Sequence, residues 1–381
     1  MSTLTNCRIC LTPLGASPEL RLPKTPRGTQ YFITKEQFAS DYGVTIDVFA
    51  CEFCGHVQLS GDPVIYDNDC TSATGLSPAI QAHRRAQARA FVERFHLRGC
   101  NVLDAGCGDG YFLTLLHEAG AIPTGIEPSG KSRVVANSGL RILDGMITRD
   151  EAVGGAPYDA FVTFHVLEHV PNPGDFLQGL HRSLRDGGVG LVEVPSLERI
   201  VERSGFFDFM PDHLSYFSLQ TLRLALEING FDVLDTYRDW SGEHAVAIVQ
   251  KRARADLSAL TSAMDSLVKD VDRFSAAHVA SGRRVAIWGA SHHALPLLSK
   301  VDHSRFTYVV DSAPYKQSRY TPLSHLRVVP PTALQDDPVE VVLVIAPRYQ
   351  QEILQQLQQE MGYRGVIASI DGNSLVVIQE S

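Results

Sequence analysis

Apolar positions fall into two long stretches of alternating periodicity, preceded by a short stretch with neither period. Residues 1–68 read as a small loop-and-strand module, and the polar, turn-rich run 67–75 reads as a joint. Residues 77–97 repeat at helical spacing and carry a basic face of His83, Arg84, Arg85, Arg89 and Arg94, which reads as solvated. From Cys100 to about Lys251 strand-like and helix-like segments alternate. The strand-like runs are 101–103, 122–127, 160–164, 189–194 and 245–250. Such alternation implies a mostly parallel sheet with helices on both faces. Residues 253–280 are amphipathic and contain neither Pro nor Gly, which suits a long connecting helix. A second alternating stretch follows, with strands expected at 284–290, 306–311 and 339–346. The fold class expected is α/β, with domains at 1–68, 69–252 and 253–381.

One junction carries chemistry. The strand 101–103 runs into Asp104, then Gly106, Cys107, Gly108 and Gly110, and a helical pattern starts at Tyr111. Glycines in such a turn let the backbone approach a ligand closely, and the helix start offers unpaired N–H donors. The next strand ends in Glu127-Pro128, an acid placed to hold a ribose diol. Strand, glycine turn, helix and acidic strand end together describe a nucleoside-cofactor site. The spacing is G-x-G-x-G, not the G-x-G-x-x-G of dinucleotide enzymes. It resembles motif I of class I methyltransferases, which bind S-adenosylmethionine.

Composition narrows the class. The chain has 381 residues, 44% hydrophobic and 20% charged, the make-up of a globular protein with room for two or three domains. A formal charge of −9 argues against nucleic acid as a partner. No apolar run suits a membrane span, and Met1 to Asn6 does not read as a signal peptide, so the expectation is a cytoplasmic protein with reduced thiols. Four of the 7 cysteines form two C-x-x-C pairs, Cys7/Cys10 and Cys51/Cys54. Two such pairs read as a closed, structural zinc site with four thiolates. Gly55 suits the turn that aims amides at sulfur. His56 reads as a substitute ligand or a surface histidine. Cys70, Cys100 and Cys107 read as small hydrophobic fillers.

Two further clusters lie at strand ends. Phe164-His-Val-Leu-Glu-His-Val-Pro171 follows the strand 160–164. His165, Glu168 and His169 there could ligate a metal or serve as acid–base groups, but no third ligand follows at helical spacing. The segment resembles the H-x-x-E-H turn of class I methyltransferases, which shapes the cofactor pocket. Asp208-Phe-Met-Pro-Asp-His-Leu-Ser-Tyr-Phe-Ser218 follows the strand end at Pro195 and falls outside the sheet pattern, as a lid would. Its His213, next to Asp212 and near Tyr216, reads equally as a general base or as a loop residue that packs or caps the helix from Leu219.

The whole chain resembles a three-part family of S-adenosylmethionine-dependent nucleotide-sugar C-methyltransferases. The resemblance runs from Cys7 to about Ile370. It rests on the four cysteines, Asp104 to Gly110, Val166 to Val170, Val192-Glu-Val-Pro195, His213 to Ser218, Trp288-Gly-Ala290, Val310 to Gln317 and Arg319-Tyr-Thr-Pro322. It implies a class I Rossmann-like methyltransferase core, a small N-terminal zinc module and a second Rossmann-like C-terminal domain that binds the substrate. The cofactor set is Asp104, Gly106, Cys107, Gly108, Gly110, Glu127 and Pro128, with His165 and His83. The family's general base is the last histidine of Tyr-His-Glu-His and falls on His213; the glutamate falls on Asp212. The chain departs from that motif at Met210 and Pro211, and also at Gly289-Ala-Ser-His-His293. Met210 removes a hydroxyl where an enolate oxygen would develop charge.

The reaction expected is C-methylation beside a carbonyl. His213, assisted by Asp212, takes the alpha proton, and the enolate accepts the sulfonium methyl in line, leaving S-adenosylhomocysteine. Two other readings stay open. One is N-, O- or C-methylation of a non-sugar secondary metabolite; the other is a non-catalytic cofactor-binding scaffold. The partners expected are a small-molecule acceptor such as a nucleotide sugar, with no nucleic acid and no membrane, and a monomer or small homo-oligomer.

Overall fold

The computed structural model describes residues 6–28, 32–61, 77–128 and 139–380. Cys70 and the joint expected at 67–75 lie outside the described residues. The chain divides after Arg254 into two units.

The first unit begins with three antiparallel strands, β1 (Leu20–Pro26), β2 (Gly43–Ala50) and β3 (Val57–Leu59). Its central sheet contains β4 (Asn101–Ala105), β5 (Ile122–Glu127), β6 (Arg141–Asp144), β7 (Tyr158–Phe164), β8 (Leu184–Pro195), β10 (Phe231–Asp239) and β11 (His244–Lys251). The strand order is β10-β11-β8-β7-β4-β5-β6. All neighbours are parallel except β11, which is antiparallel to both of its own. The short β9 (Ser215–Tyr216) leaves this sheet and pairs with β3, adding a fourth strand to the N-terminal sheet.

Side chains alternate across the central strands, and both faces are buried. Leu103, Phe161, Val192 and Ala247 face α3 (Pro173–Ser183) and α5 (Leu219–Ile228) through Leu177, Leu180, Leu222 and Leu226. Val102, Val162, Leu191 and Val246 face α1 (Pro78–Arg94) and α2 (Tyr111–Glu118) through Phe91, Val92, Leu115 and Leu116. Double burial is why these strands read as unbroken apolar runs. The helices start where capping residues stand. Ser77 accepts from the Ile80 amide with Pro78 at the first position, and Ser218 and Thr221 form a reciprocal capping box. A short helix, α4 (Leu197–Glu202), follows β8.

The basic face expected on α1 is not wholly solvated. Arg84 is 7% exposed, because α1 turns that face onto the end of β8. In the second unit α6 (Ser258–Ala280) precedes β12 (Val285–Trp288), β13 (Phe306–Val310), β14 (Val328–Val329), β15 (Val341–Val344), β16 (Val366–Asp371) and β17 (Ser374–Gln379). The order β14-β13-β12-β15-β16-β17 is parallel apart from the β16–β17 hairpin. Gly289 ends β12 at φ 117°, and the Asp311 carboxylate accepts from the Ala290 and Ala313 amides and from Lys316 Nζ, each at 2.9 Å. Among the described residues no helix is long and apolar enough to cross a membrane.

Candidate functional site

Three features converge at the carboxyl ends of the central strands, where open α/β sheets bind ligands. The first is the glycine turn between β4 and α2. Gly106, Gly108 and Gly110 all take positive φ, at 77°, 54° and 80°. A Cβ at Gly106 would collide with Val166, whereas the space above Gly108 is open. The Gly108 amide donates to Glu127 Oε2 at 2.9 Å, so the acid ending β5 reaches the turn beside it. Asp104 is 2% exposed and its Oδ2 has no hydrogen-bond partner. Burial, then the charges of Glu127 and Asp109, push its carboxyl up to about 8. An open cradle of amides beside a buried carboxyl with one unpartnered oxygen and a strand-end acid fits a nucleoside-bearing cationic cofactor.

The second feature is a buried ionic network under that turn. Glu193 of β8 is fully buried. It meets Arg84 Nη2 at 2.6 Å, His244 Nδ1 at 2.8 Å, Gln87 Nε2 at 2.8 Å and His165 Nε2 at 3.2 Å. His165 sits at the end of β7 in a left-handed conformation, φ 52°, and the next residue, Val166, packs on Gly106. Burial disfavours the His165 cation, but Glu168 and Glu193 on either side outweigh it and raise the ring to about 9. Conversely, the carboxylate of Glu193 is held well below the usual range despite its burial.

The third feature is the segment around His213. The Leu214 and Ser215 amides both donate to the Glu168 carbonyl, at 2.7 and 3.1 Å, which ties this segment to the turn after β7. His169 Nδ1 donates to the Asp212 carbonyl at 2.8 Å, and the His169 and His213 rings stack edge-on at 4.6 Å. Ligand atoms of Glu168, His169 and His213 lie within 4.8 Å of one another. Burial, only partly offset by Glu168, lowers the His213 ring to about 4, so it is neutral at pH 7. His213 lines a cavity of about 210 Å³ with Phe207, Met210, Arg199, Arg203 and Glu243. The Tyr216 hydroxyl accepts from the Met210 amide at 3.0 Å.

The four cysteines stand at the foot of the N-terminal sheet. Cys7 and Cys54 Sγ are 3.6 Å apart, as are those of Cys10 and Cys51. A tetrahedral zinc with bonds of about 2.3 Å separates sulfurs by about 3.8 Å, so the donor set fits. Gly55, at φ 75°, donates to the Cys51 carbonyl at 2.8 Å.

The remaining sequence candidates fall elsewhere. His83 points to the end of β10, with Nε2 3.3 Å from Asp239 and its ring 5.0 Å from Trp240. The structure thus sets it four strands from β4, at the edge of the sheet. Pro128 is exposed at the end of β5. His56 is not a surface histidine. It is completely buried, stacked 5.0 Å from Phe217, and burial with the Arg8 charge lowers it to about 3. Sequence reasoning passed over Gln87, Glu193 and His244 as chemistry. The only signal was an acid inside an otherwise apolar β8 run.

A methyltransferase-domain family matches residues 80–236, and a family described as the C-methyltransferase C-terminal domain matches residues 243–368. The C-methyltransferase NovU of Streptomyces niveus is 24% identical over 349 residues, 81% of this chain and 82% of that one. A ubiquinone biosynthesis O-methyltransferase of Pseudomonas syringae is 33% identical over 103 residues, 25% of this chain and 44% of that enzyme. Among solved structures, an S-adenosylmethionine-dependent methyltransferase from Clostridium acetobutylicum is similar with a TM-score of 0.39 and 12% identity, over 45% of this chain and 92% of that one. The chain is an S-adenosylmethionine-dependent methyltransferase.

Proposed function

We propose that this methyltransferase delivers the methyl group to a carbon beside a carbonyl, with His213 as general base. The observation that carries the reading is His213 itself: a neutral ring lining a cavity, on a segment stitched to the turn after β7. S-adenosylmethionine supplies an electrophilic methyl group on its sulfonium, and Asp104, Gly106, Gly108, Gly110 and Glu127 would hold it. His213 accepts the alpha proton. Glu168, and with it Asp212, stabilises the imidazolium that results. The buried Glu193 network fixes the turn carrying His165 and Val166, and with it the shape of the glycine cradle. Holding both reactants in near-attack geometry supplies most of the remaining acceleration. The cysteine cluster would hold a structural zinc.

Similarity to NovU over most of both chains favours carbon as the accepting atom. The resemblance to nucleotide-sugar enzymes makes a keto-deoxy sugar the acceptor to test first. Local similarity to O-methyltransferases keeps an oxygen acceptor as the second reading. Melting temperature should rise with S-adenosylhomocysteine, and rise again with the nucleoside diphosphate that carries the acceptor. NMR of the product then decides between carbon and heteroatom by the shift of the new methyl. His213→Ala should retain S-adenosylhomocysteine binding and lose roughly 10²–10⁴-fold in turnover. Full turnover in that variant would remove the base assignment, and binding without turnover on any small molecule would leave a scaffold.

A further inference from the structure

We infer that Glu168, His169 and His213 form a binding site for a divalent transition-metal cation of the zinc or ferrous type, distinct from the cysteine cluster. Two imidazoles and one carboxylate are a donor set such ions prefer, and a carboxylate–imidazole site with open positions suits them better than it suits calcium or magnesium. The three ligand atoms already lie within 4.8 Å of one another, so small side-chain rotations bring them to bonding distance. Three observations point to a cation rather than to a packed polar core.

Glu168 is 1% exposed, and neither carboxylate oxygen has a hydrogen-bond partner. A buried carboxylate without donors is costly. The ring nitrogens nearest to it are His165 Nδ1 at 3.5 Å and His169 Nε2 at 3.9 Å, both too far for a good hydrogen bond. Second, His169 Nδ1 donates to the Asp212 carbonyl at 2.8 Å. That bond fixes the tautomer that leaves the lone pair on Nε2, the atom turned toward Glu168, and metal-binding histidines are held by the same kind of contact. Third, His213 lines the 210 Å³ cavity, which gives an ion an entry path.

The neighbouring group of His165, Glu193 and His244 is the counterexample. It has the same ligand types, but the Arg84 guanidinium stands 2.6 Å from Glu193 and already supplies the cation.

A bound ion takes the lone pair that His213 would use on the acceptor. Excess zinc should therefore suppress methyl transfer; this consequence, unlike the site, rests on His213 acting as base. The test uses the full chain with its cysteine cluster loaded with zinc, titrated with Co²⁺. Wild type should take up one further equivalent, with ligand-field bands and no thiolate charge-transfer band. Glu168→Gln and His213→Ala should each lose that equivalent while keeping the zinc of the cysteine cluster. Because Glu168→Gln removes a buried charge and could unfold the region, His213, which carries no buried charge, supplies the independent variant, and a cooperative melt checks both. Absence of the further equivalent in wild type overturns the site, as does uptake with thiolate bands or unchanged uptake in both variants. Uptake as expected with zinc-insensitive turnover supports the site and overturns the base reading.

Discussion

Arg84→Met tests whether the buried network holds the floor of the site. Arg84 and Glu193 side chains are 9% and 0% exposed and meet at 2.6 Å, so the substitution leaves a desolvated carboxylate without its closest cation. Breaking a buried pair from one side costs about 3–5 kcal/mol. Glu193 retains His244, Gln87 and His165, at 2.8, 2.8 and 3.2 Å, and Met fills most of the vacated volume. The lower end, about 3 kcal/mol, is therefore expected. For a folding unit of about 150–250 residues this lowers the melting temperature by about 6–12 °C. The assay is urea and thermal unfolding of wild type, Arg84→Met, Glu193→Gln and the double variant. The two losses should fail to add by at least about 1 kcal/mol, because both substitutions break one interaction. A loss for Arg84→Met below about 1 kcal/mol, with an additive double variant, is what an exposed pair such as Arg85–Glu118 would give, and it would refute the argument.

Three other outcomes follow from the same geometry. His213 titrates at about 4 rather than near 6.5, so its base form survives until the pH falls through about 4. The acidic limb of kcat/KM, measured with a stable acceptor, should lie near pH 4, and a limb near 6.5 would point to a different base. His165 has the opposite sign, raised to about 9 when folded. Its contribution to stability is fully present below about pH 6.5 and is lost as the pH rises from there through about 9; melting temperatures across that window should fall in wild type and less in His165→Asn. Removal of metal with a strong chelator should abolish turnover before it abolishes S-adenosylhomocysteine binding, read by calorimetry on the same sample, because the cysteines flank β3, which pairs directly with the His213 segment.

The fold was legible where burial is two-sided. β5 coincides with the strand-like run 122–127, and the β4 run ends at the acid and the glycines that end a parallel strand in this fold. Less legible were features decided by long-range packing. Arg84 looked solvated because periodicity locates a helix face but not what covers it; the covering partner, Glu193, is 109 positions away. His56 looked exposed because a histidine beside two cysteines has no apolar pattern of its own, and its burial depends on Phe217, far along the chain. The same limit hid the meeting of Glu168 and His169 with His213. Helical spacing within Phe164 to Pro171 offers no third ligand, and the third ligand arrives from another loop.

Strand β9 gives that loop its position. β3 starts three residues after Cys54, and β2 ends at Ala50, immediately before Cys51. A cluster that fixes Cys51 and Cys54 therefore fixes the register of β2 against β3, and β3 in turn pairs with Ser215–Tyr216. Leu59 adds a bond from its amide to the Leu214 carbonyl at 3.0 Å, and the Arg8 side chain, next to Cys7, donates to the Pro171 carbonyl at 2.5 Å. The His213 segment is thus held from both sides: by the Glu168 carbonyl in the turn after β7 and by β3 on the cysteine module. A two-residue strand has too few bonds to be stable alone, so its order depends on the module. This makes the N-terminal cysteines part of what positions His213, even though none of them lines the cavity beside it.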